Sequence, residues 1–119
     1  MEHEPIISVR QPWAAAIFHA GKNVENRSWF TDYRGRLWIH AAKTVDRPHD
    51  HRLRFLLDDL PLGVILGSVD LVDVVRDSSS RWAIGGAYHW LIANPAPLPS
   101  PVPRRGRPGL TWFDPPTGT

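Results

Sequence analysis

The sequence of 119 residues contains no cysteine. Without a thiol, the chain forms no disulfide, no thiolate metal site and no cysteine nucleophile. It also has no apolar segment near the roughly 20 residues that a membrane-spanning helix needs. The first ten residues include acidic side chains and lack the hydrophobic core of a secretion signal. These absences predict a cytoplasmic protein that does not contact a membrane.

The composition is that of a folded protein, with 42% hydrophobic and 22% charged residues. This length predicts one domain over 1–119 with its own hydrophobic core. The net charge of +2 hides a division, because 10–54 carries nine Lys or Arg against four acids and 58–77 carries five Asp against one Arg. If the basic segment forms one side of the fold, that side attracts phosphate. The alternative is a set of charges scattered over a solvated surface.

Hydrophobic periodicity and turn residues predict five or six strands and two helices. The predicted strands are 6–10, 24–29, 36–42, 62–75, 87–94 and 110–113. The first predicted helix, 11–21, has Pro12 near its start and Gly21 at its end. The second predicted helix, 46–60, has Asp46 as its candidate cap.

Glycine and proline mark the long β segments. Gly67 lies inside 62–75, where a bulge would let the sheet curve. Prolines occupy every second position from 95 to 103, so one edge of this segment lacks hydrogen-bond donors. That pattern fits an edge strand or a polyproline segment and not a central strand. The whole pattern predicts an α+β fold, a small curved sheet or barrel with helices packed on it.

The stretch GKNVENRSW, residues 21–29, places three charges between two apolar segments. In an extended segment Glu25, Arg27 and Trp29 share one face. One interpretation is a surface ion pair, which contributes little to stability. The other is a binding site, in which Lys22 and Arg27 contact an anionic or carbonyl-rich ligand and Glu25 accepts hydrogen bonds from amino groups of that ligand.

The six tryptophans are a second candidate group. Trp13, Trp29 and Trp38 lie in or beside the basic segment. Aromatic rings interleaved with cations are typical of proteins that stack unpaired bases and hold phosphates. Packing in the core is the alternative, and it is the prediction for Trp90 and Trp112, which lie on apolar strands.

The histidines give only a weak metal signal. His49 and His51 lack the i, i+4 spacing that brings two imidazoles to one ion, so we predict no metal and no cofactor. His40 shares a strand face with Trp38 and precedes Lys43 by three residues, which makes it a candidate binding residue. The sequence shows no glycine-rich phosphate loop and no recognisable pair of nucleophile and base.

The order of these segments resembles the ASCH domain (activating signal cointegrator homology). The resemblance covers about 6–113 and rests on ISVRQPWAAAIFHAGKNVENRSW, YRGRLWIHAAK, GVILGSVDLVDVV and YHWLIANPAPLPSPVPRRGRPGLTWF. The family's G-x-K-x-x-E-x-R signature corresponds to Gly21, Lys22, Glu25 and Arg27, with the lysine here directly after the glycine.

This resemblance implies a β-barrel with flanking helices, similar to the pseudouridine synthase and archaeosine transglycosylase (PUA) fold and related to EVE and YTH domains. It also implies a cleft beside the barrel that takes RNA, single-stranded nucleic acid or a modified nucleoside. Carried over residue by residue, the implied binding residues are Gln11, Trp13, Lys22, Glu25, Arg27, Trp29, His40 and Lys43.

Catalysis in the same cleft is the alternative. Some similar small bacterial members are amidohydrolases of N4-acetylcytidine, and ribonuclease activity is ascribed to others. In a hydrolase, Lys22 would activate or stabilise and Glu25 would be the general base. The amidohydrolases, however, have a threonine where this chain has Glu25, and 53–75 offers only aspartates for their further glutamate. Three hypotheses stay open: a nucleic-acid or nucleoside binding module, a small hydrolase, and a regulatory domain for another small ligand.

Overall fold

The computed structural model describes residues 3–48, 50–56 and 59–116. Its elements are, in chain order, β1 (Glu4–Gln11), α1 (Trp13–His19), β2 (Val24–Arg27), β3 (Gly35–Val45), a 3₁₀ helix (His51–Leu56), β4 (Val64–Val75), β5 (Tyr88–Pro103) and β6 (Thr111–Phe113). The six predicted strands are confirmed, and β5 is longer than predicted because it continues through the prolines.

The strands form one mixed sheet in the order β2–β5–β4–β3–β1–β6. β1 runs parallel to β3, and all other neighbouring strands are antiparallel. β6 pairs only with residues 4–6 of β1. Among the described residues, the outer edge of β1 beyond Ile6 therefore has no strand beside it. This free edge of β1 lines the candidate site.

The sheet does not close, so the predicted barrel is wrong. Closure would require backbone hydrogen bonds between β2, at one end of the strand order, and β1 or β6 at the other. Instead, the sheet curves until β2 faces the free edge of β1, and Arg27 donates a hydrogen bond to the Ser8 carbonyl across the opening, at 3.3 Å. A side chain thus replaces the last row of backbone bonds. The result is an open, β-rich sheet that is broadly PUA-like.

The first predicted helix is confirmed as α1, which packs a face of small side chains against the sheet. The Gln11 side-chain oxygen accepts a hydrogen bond from the Ala15 amide at 2.9 Å, which satisfies a donor of the first turn. After the helix, Gly21 adopts a φ of 71°, in the left-handed region that favours glycine. The Lys22 amide then donates to the Ala16 carbonyl, so the chain turns towards β2 as predicted.

The second predicted helix, 46–60, is wrong as an α-helix. Only His51–Leu56 is helical, and it forms a 3₁₀ helix. Asp46 does not cap it, because side chains from β1 and α1 bind its carboxylate. Asp50 accepts a backbone hydrogen bond in the first turn instead. The part of the prediction at 57–58 lies outside the described residues. The described chain accordingly has one α-helix and not two.

Bulges shape the two longest strands. The register of β4 shifts between Ile65 and Gly67 against both of its neighbours, which confirms the predicted bulge. Gly67 suits this position because a Cβ there would lie 2.3 Å from the Ala96 carbonyl oxygen. β2 pairs with residues 88–91 only, so the proline-rich half of β5, 95–103, has β4 on one side and no described strand on the other. The prediction of an edge position is confirmed for this half.

The tryptophan packing follows the prediction in one case and not in the other. Trp90 is fully buried, and Trp29 contacts it edge-on with ring centroids 4.8 Å apart. Trp112 is half exposed and touches only the edge of the Tyr33 ring from the short strand β6, so its predicted core position is wrong. Within the described ranges, no helix has the length and apolar character needed to cross a membrane.

Candidate functional site

A cleft of about 450 Å³ lies at the opening of the sheet. β1 contributes Ser8 and Arg10, β2 contributes Glu25 and Arg27, and the loop 81–84 forms the opposite wall. Since β1 and β2 lie far apart in the strand order, the cleft exists because the sheet curves without closing. Small-molecule sites in proteins are typically about 300–1,000 Å³, and this cleft falls in that range.

Three charged side chains form the floor of the cleft. Lys22 Nζ lies 3.0 Å from Glu25 Oε1, and Arg27 NH1 lies 3.2 Å from Glu25 Oε2. The Lys22 and Glu25 side chains are only 4% and 8% exposed, and Lys22 also donates to the Val24 carbonyl. The exposed ion pair considered from the sequence therefore does not describe this group. The carboxylate is held between two cations, and part of the group faces the cleft.

One rim of the cleft is fixed by hydrogen bonds among three side chains that are half-buried or exposed. Asp46 accepts a hydrogen bond from Trp13 Nε1 at 3.1 Å and one from Arg10 NH1 at 3.2 Å. These bonds tie the start of α1 to the free end of β1. The Trp13 ring is half-buried and lines the cleft, so its orientation is set while part of its surface stays available to a ligand.

Trp82 belongs to the opposite wall. The Arg52 guanidinium lies over its ring, 4.0 Å from the centroid, and Arg81 lies 5.3 Å from the same ring. Arg52 Nε donates to both carboxylate oxygens of Asp50 and its NH1 donates to the Arg81 carbonyl. These hydrogen bonds from Arg52 lower the pKa of Asp50 to about 2. Asp50 therefore stays ionised at neutral pH and holds the guanidinium over the indole.

The loop that carries Trp82 is fastened at several points. His89, which is buried, accepts a hydrogen bond from the Ser78 amide at Nδ1 and donates from Nε2 to the Ile84 carbonyl. This pattern is that of a neutral imidazole. Asn26 donates to the Trp82 carbonyl and accepts from the Ile84 amide. Side chains of β2 and β5 thus set the position of this wall, and Ile84 itself lies at the rim, 62% exposed.

The cleft brings together four of the eight predicted binding residues: Trp13, Lys22, Glu25 and Arg27. The other four lie outside its lining: Gln11, Trp29, His40 and Lys43. Gln11 is fully buried and bonds to the backbone of α1 and to the Pro61 carbonyl, so it supports the helix and contacts no cleft. Trp29 packs against Trp90 and lies below the Arg27 guanidinium, 5.7 Å from its ring centroid.

His40 and Lys43 lie on β3, outside the cleft lining. His40 is buried between the Ser8 hydroxyl and the Arg104 carbonyl, at 2.9 and 2.7 Å. Lys43 is exposed, and its stem passes Gly63. His49, considered for metal binding, lies outside the described residues. Among the described residues, no three His, Asp or Glu side chains gather as metal ligands would.

Sequence reasoning missed the wall formed by Arg52, Trp82 and Ile84. One signal was present: SSSRWAIGG places an indole beside an arginine within a stretch of small, turn-forming residues. A large aromatic residue in such a loop has no apolar strand to bury it, so it lies on another element or at a site. The packing of Arg52 on Trp82 could not be inferred, because 29 residues separate Arg52 from the Arg81 carbonyl that it binds.

Comparison with known proteins gives consistent results. The sequence model of the ASCH domain matches residues 7–98. Activating signal cointegrator 1 of Homo sapiens is 31% identical over 127 aligned residues, and its Mus musculus counterpart is 30% identical. Each alignment covers 91% of this chain and 22% of the relative, so the chain spans a small part of these curated proteins.

Two solved structures share the fold. The ASCH protein from Zymomonas mobilis superimposes with a TM-score of 0.59, covering 92% of this chain and 87% of that one. A point mutant of the same protein gives a TM-score of 0.62, with 92% and 89% covered. Sequence identity is 18% in both cases, so the likeness concerns the fold alone.

Proposed function

The chain belongs to the ASCH domain family, and from this premise we propose that it binds RNA or a modified nucleoside, with one base held in the cleft. The observation that carries the proposal is the largely buried group of Lys22, Glu25 and Arg27 on the floor of a cleft that is lined by Trp13 and Trp82.

The floor offers the polar groups that a nucleobase requires. Lys22 and Arg27 supply N–H donors for ring carbonyls and ring nitrogens, and Glu25 supplies acceptor oxygens for an exocyclic amino group. These groups already pair with one another and with backbone carbonyls, so their remaining donors and acceptors point in fixed directions. A ligand whose edge does not match those directions gains no hydrogen bond, which is a source of selectivity. The floor therefore supports recognition of a base by its edge.

The walls offer planar surfaces. Stacking of a base on an aromatic ring contributes about 1–3 kcal/mol in single-strand binding proteins. Trp13 is held by Asp46 and lines one side. On the other side the Arg52 guanidinium covers the Trp82 ring, which is only 5% exposed, so the guanidinium and not the indole offers the planar surface. Arginine planes stack on bases as rings do. Two fixed surfaces of this kind support a base inserted between them.

A hydrolase is the second candidate, and the observation that favours it is the Lys22–Glu25 pair inside the cleft. Deacylation of a nucleoside amide, or cleavage of RNA, needs a base to take a proton and a group to stabilise the developing charge. Lys22 is placed to stabilise the developing charge. Both oxygens of Glu25, however, already accept hydrogen bonds, one from Lys22 and one from Arg27, so the carboxylate is better placed to orient donors than to take a proton.

Fluorescence anisotropy with a labelled single-stranded RNA of mixed sequence tests the proposal. We expect Arg27→Gln to weaken binding by about ten-fold or more, since a hydrogen bond to a charged group contributes about 1.5–3 kcal/mol. Arg36→Gln is the matched control, because Arg36 is exposed and lies outside the cleft lining. Equal affinity for the wild type and Arg27→Gln, with both folded by circular dichroism, would overturn the proposal.

The wild type and a Glu25→Gln variant test the amidohydrolase form of the second candidate. Each is incubated with N4-acetylcytidine, and released acetate and cytidine are separated by chromatography. Turnover by the wild type that is lost in Glu25→Gln would make the cleft an active site. We expect no turnover above that of the Glu25→Gln variant.

A further inference from the structure

A second, smaller hollow shares the lining residue Ser8 with the cleft. Alternate residues of a strand share a face, so Ile6, Ser8 and Arg10 point to the same side of the sheet. Ser8 and Arg10 line the cleft, whereas Ile6 and Ser8 line a hollow closed by the basic loop 104–107. The two depressions therefore meet at Ser8, and the basic loop lies next to the cleft.

His40 fixes the basic loop in place. Its Nε2 donates to the Arg104 carbonyl at 2.7 Å, because a carbonyl can only accept, and its Nδ1 forms a hydrogen bond with the Ser8 hydroxyl at 2.9 Å. The Arg104 amide donates to the Gly63 carbonyl, and its guanidinium lies over the Phe113 ring, 4.6 Å from the centroid. These contacts hold the backbone of the loop against β1 and β3.

The loop approaches Ser8 so closely that only glycine fits at its centre. A Cβ on Gly106 would lie 2.8 Å from His40 Cε1 and 3.0 Å from the Ser8 hydroxyl oxygen. The residues on either side of Gly106, Arg105 and Arg107, are exposed. A fixed backbone with two outward guanidinium groups is suited to binding an anion.

The loop differs in charge from the cleft. Three of the four arginines that line the cleft are paired with a carboxylate: Arg10 with Asp46, Arg27 with Glu25, and Arg52 with Asp50. The fourth, Arg81, has no carboxylate partner among the described residues. Within the described part of the chain, Arg105 and Arg107 have no such partner. Arg105 and Arg107 thus add uncompensated positive charge directly beside the cleft, where it attracts phosphate.

We propose that the ligand is a nucleotide within a strand and not a free nucleoside, and that Arg105 and Arg107 bind the phosphates next to the base in the cleft. This inference rests on the proposed function. As in most nucleic-acid interfaces, the two kinds of contact have different roles. Base contacts in the cleft determine which nucleotide is bound, and phosphate contacts on the loop position the strand. His40 is then a positioning residue, acting through the loop.

The test is the salt dependence of affinity for the labelled single-stranded RNA. Each phosphate contact in a single strand contributes about 0.7 to the slope of log K against log salt. For the double variant Arg105→Gln/Arg107→Gln we expect the slope to fall by about 1.4, together with a loss of affinity at low salt. The matched control is Arg34→Gln, which removes an exposed arginine directly before the first residue of β3. We expect the slope for this control to stay that of the wild type.

A cleft variant separates failure of this inference from failure of the proposed function. Ile84→Ser changes an exposed residue at the cleft rim, so the fold should be unaffected, and we expect weaker binding with an unchanged slope. If the double arginine variant keeps the wild-type slope while Ile84→Ser and Arg27→Gln bind weakly, the cleft assignment stands and the loop proposal is overturned. If both cleft variants bind as the wild type does, the proposed function fails and the loop proposal fails with it.

A second variant tests the position of the loop without changing its charge. Gly106→Ala pushes the backbone away from His40 and Ser8 while keeping both arginines. We expect weaker RNA binding with the slope partly retained, since displaced guanidinium groups still attract counterions. Wild-type affinity in Gly106→Ala would show that the position of the loop relative to the cleft is irrelevant, against the proposal.

Discussion

Lys22 and Glu25 face each other at 3.0 Å almost without contact with water. Burying two charges carries a desolvation penalty that their attraction often fails to offset, so such a pair is weak evidence for stability. Arg27 adds a second cation on the same carboxylate. The arrangement makes better sense as a preformed set of donors and acceptors whose positions are fixed before a ligand arrives.

Removing one member of this group should destabilise the fold. Losing one partner of a buried ion pair typically costs about 3–5 kcal/mol. We expect Lys22→Met to fall at the lower end of that range, because Arg27 remains beside Glu25. The measurement is the free energy of unfolding from urea denaturation.

The double variant Lys22→Met/Glu25→Met shows whether the two residues act together. Contacting pairs commonly show coupling of about 0.5–3 kcal/mol, so we expect the double variant to be less destabilised than the sum of its single changes. Arg36→Met is the control, since Arg36 and Glu4 form a looser, solvated pair at 3.7 Å. Strict additivity would mean that Lys22 and Glu25 do not share a structural role.

At the scale of elements, the loop between β4 and β5 is the part of the site with the least regular structure and the most side-chain support. Two of its backbone groups depend on the buried ring of His89, and two more depend on Asn26 of β2. Elements that open most easily are those with few buried contacts and exposed backbone bonds. The cleft wall therefore depends on these side-chain bonds together with the packing of the buried Trp82 ring in the core.

We expect His89→Leu to loosen this wall without unfolding the sheet. The Ser78 amide and the Ile84 carbonyl would lose their partners, and an unsatisfied buried polar group costs about 1–3 kcal/mol. Amide hydrogen exchange should accelerate in 78–84 and stay slow in β3 and β4, and RNA affinity should fall. His19→Leu is the control, because His19 is exposed at the end of α1. Unchanged exchange in 78–84 would contradict this account.

The elements set by local pattern were predictable from the sequence. The β-branched strands, the alanine-rich helix and its terminating Gly21 follow from propensity and backbone geometry, which operate over a few residues. The bulge at Gly67 and the edge position of the alternating prolines could also be predicted from the sequence. The charged residues of β2 could be assigned to one site because strand alternation puts Glu25 and Arg27 on one face.

What could not be predicted depends on contacts between distant segments. Asp46 has the features of a helix cap, yet it binds Trp13, 33 residues away. Gln11 and His40 carry functional groups typical of binding sites, yet both spend their hydrogen bonds on the protein's own backbone or side chains. Trp82 joins the cleft only because Asn26 and His89 hold its loop there. Five of these hydrogen bonds join residues that are at least 32 positions apart in the sequence.

At the scale of the whole molecule, the cleft lies where the two ends of the strand order face each other. β2 has four residues, and the described structure links it to β1 by the Arg27 side chain. A ligand in the cleft contacts both strands and so bridges the opening. Binding should therefore stabilise the fold as well as fill the site.

We expect the single-stranded RNA to raise the melting temperature and to protect β2 from hydrogen exchange. A ligand at about one hundred times its Kd adds about 2.7 kcal/mol to the stability of the folded state. Protection should concentrate at 24–27 and 8–11, with little change at the far end of β4. Thermal melts and exchange mass spectrometry measure the two effects. A higher melting temperature without protection of β2 would place the RNA elsewhere on the molecule.

The alternating prolines of β5 have a consequence for behaviour at high concentration. An exposed strand edge is a template on which a second molecule can add its own strand, and repeated addition leads to amyloid. Along 95–103 the described chain leaves such an edge uncovered. A proline, however, has no N–H that could donate a hydrogen bond to an added strand. Every second backbone hydrogen bond to an added strand is therefore missing on that side. The open sheet is thereby protected against self-association along its longest uncovered edge, with no further element needed to cover it.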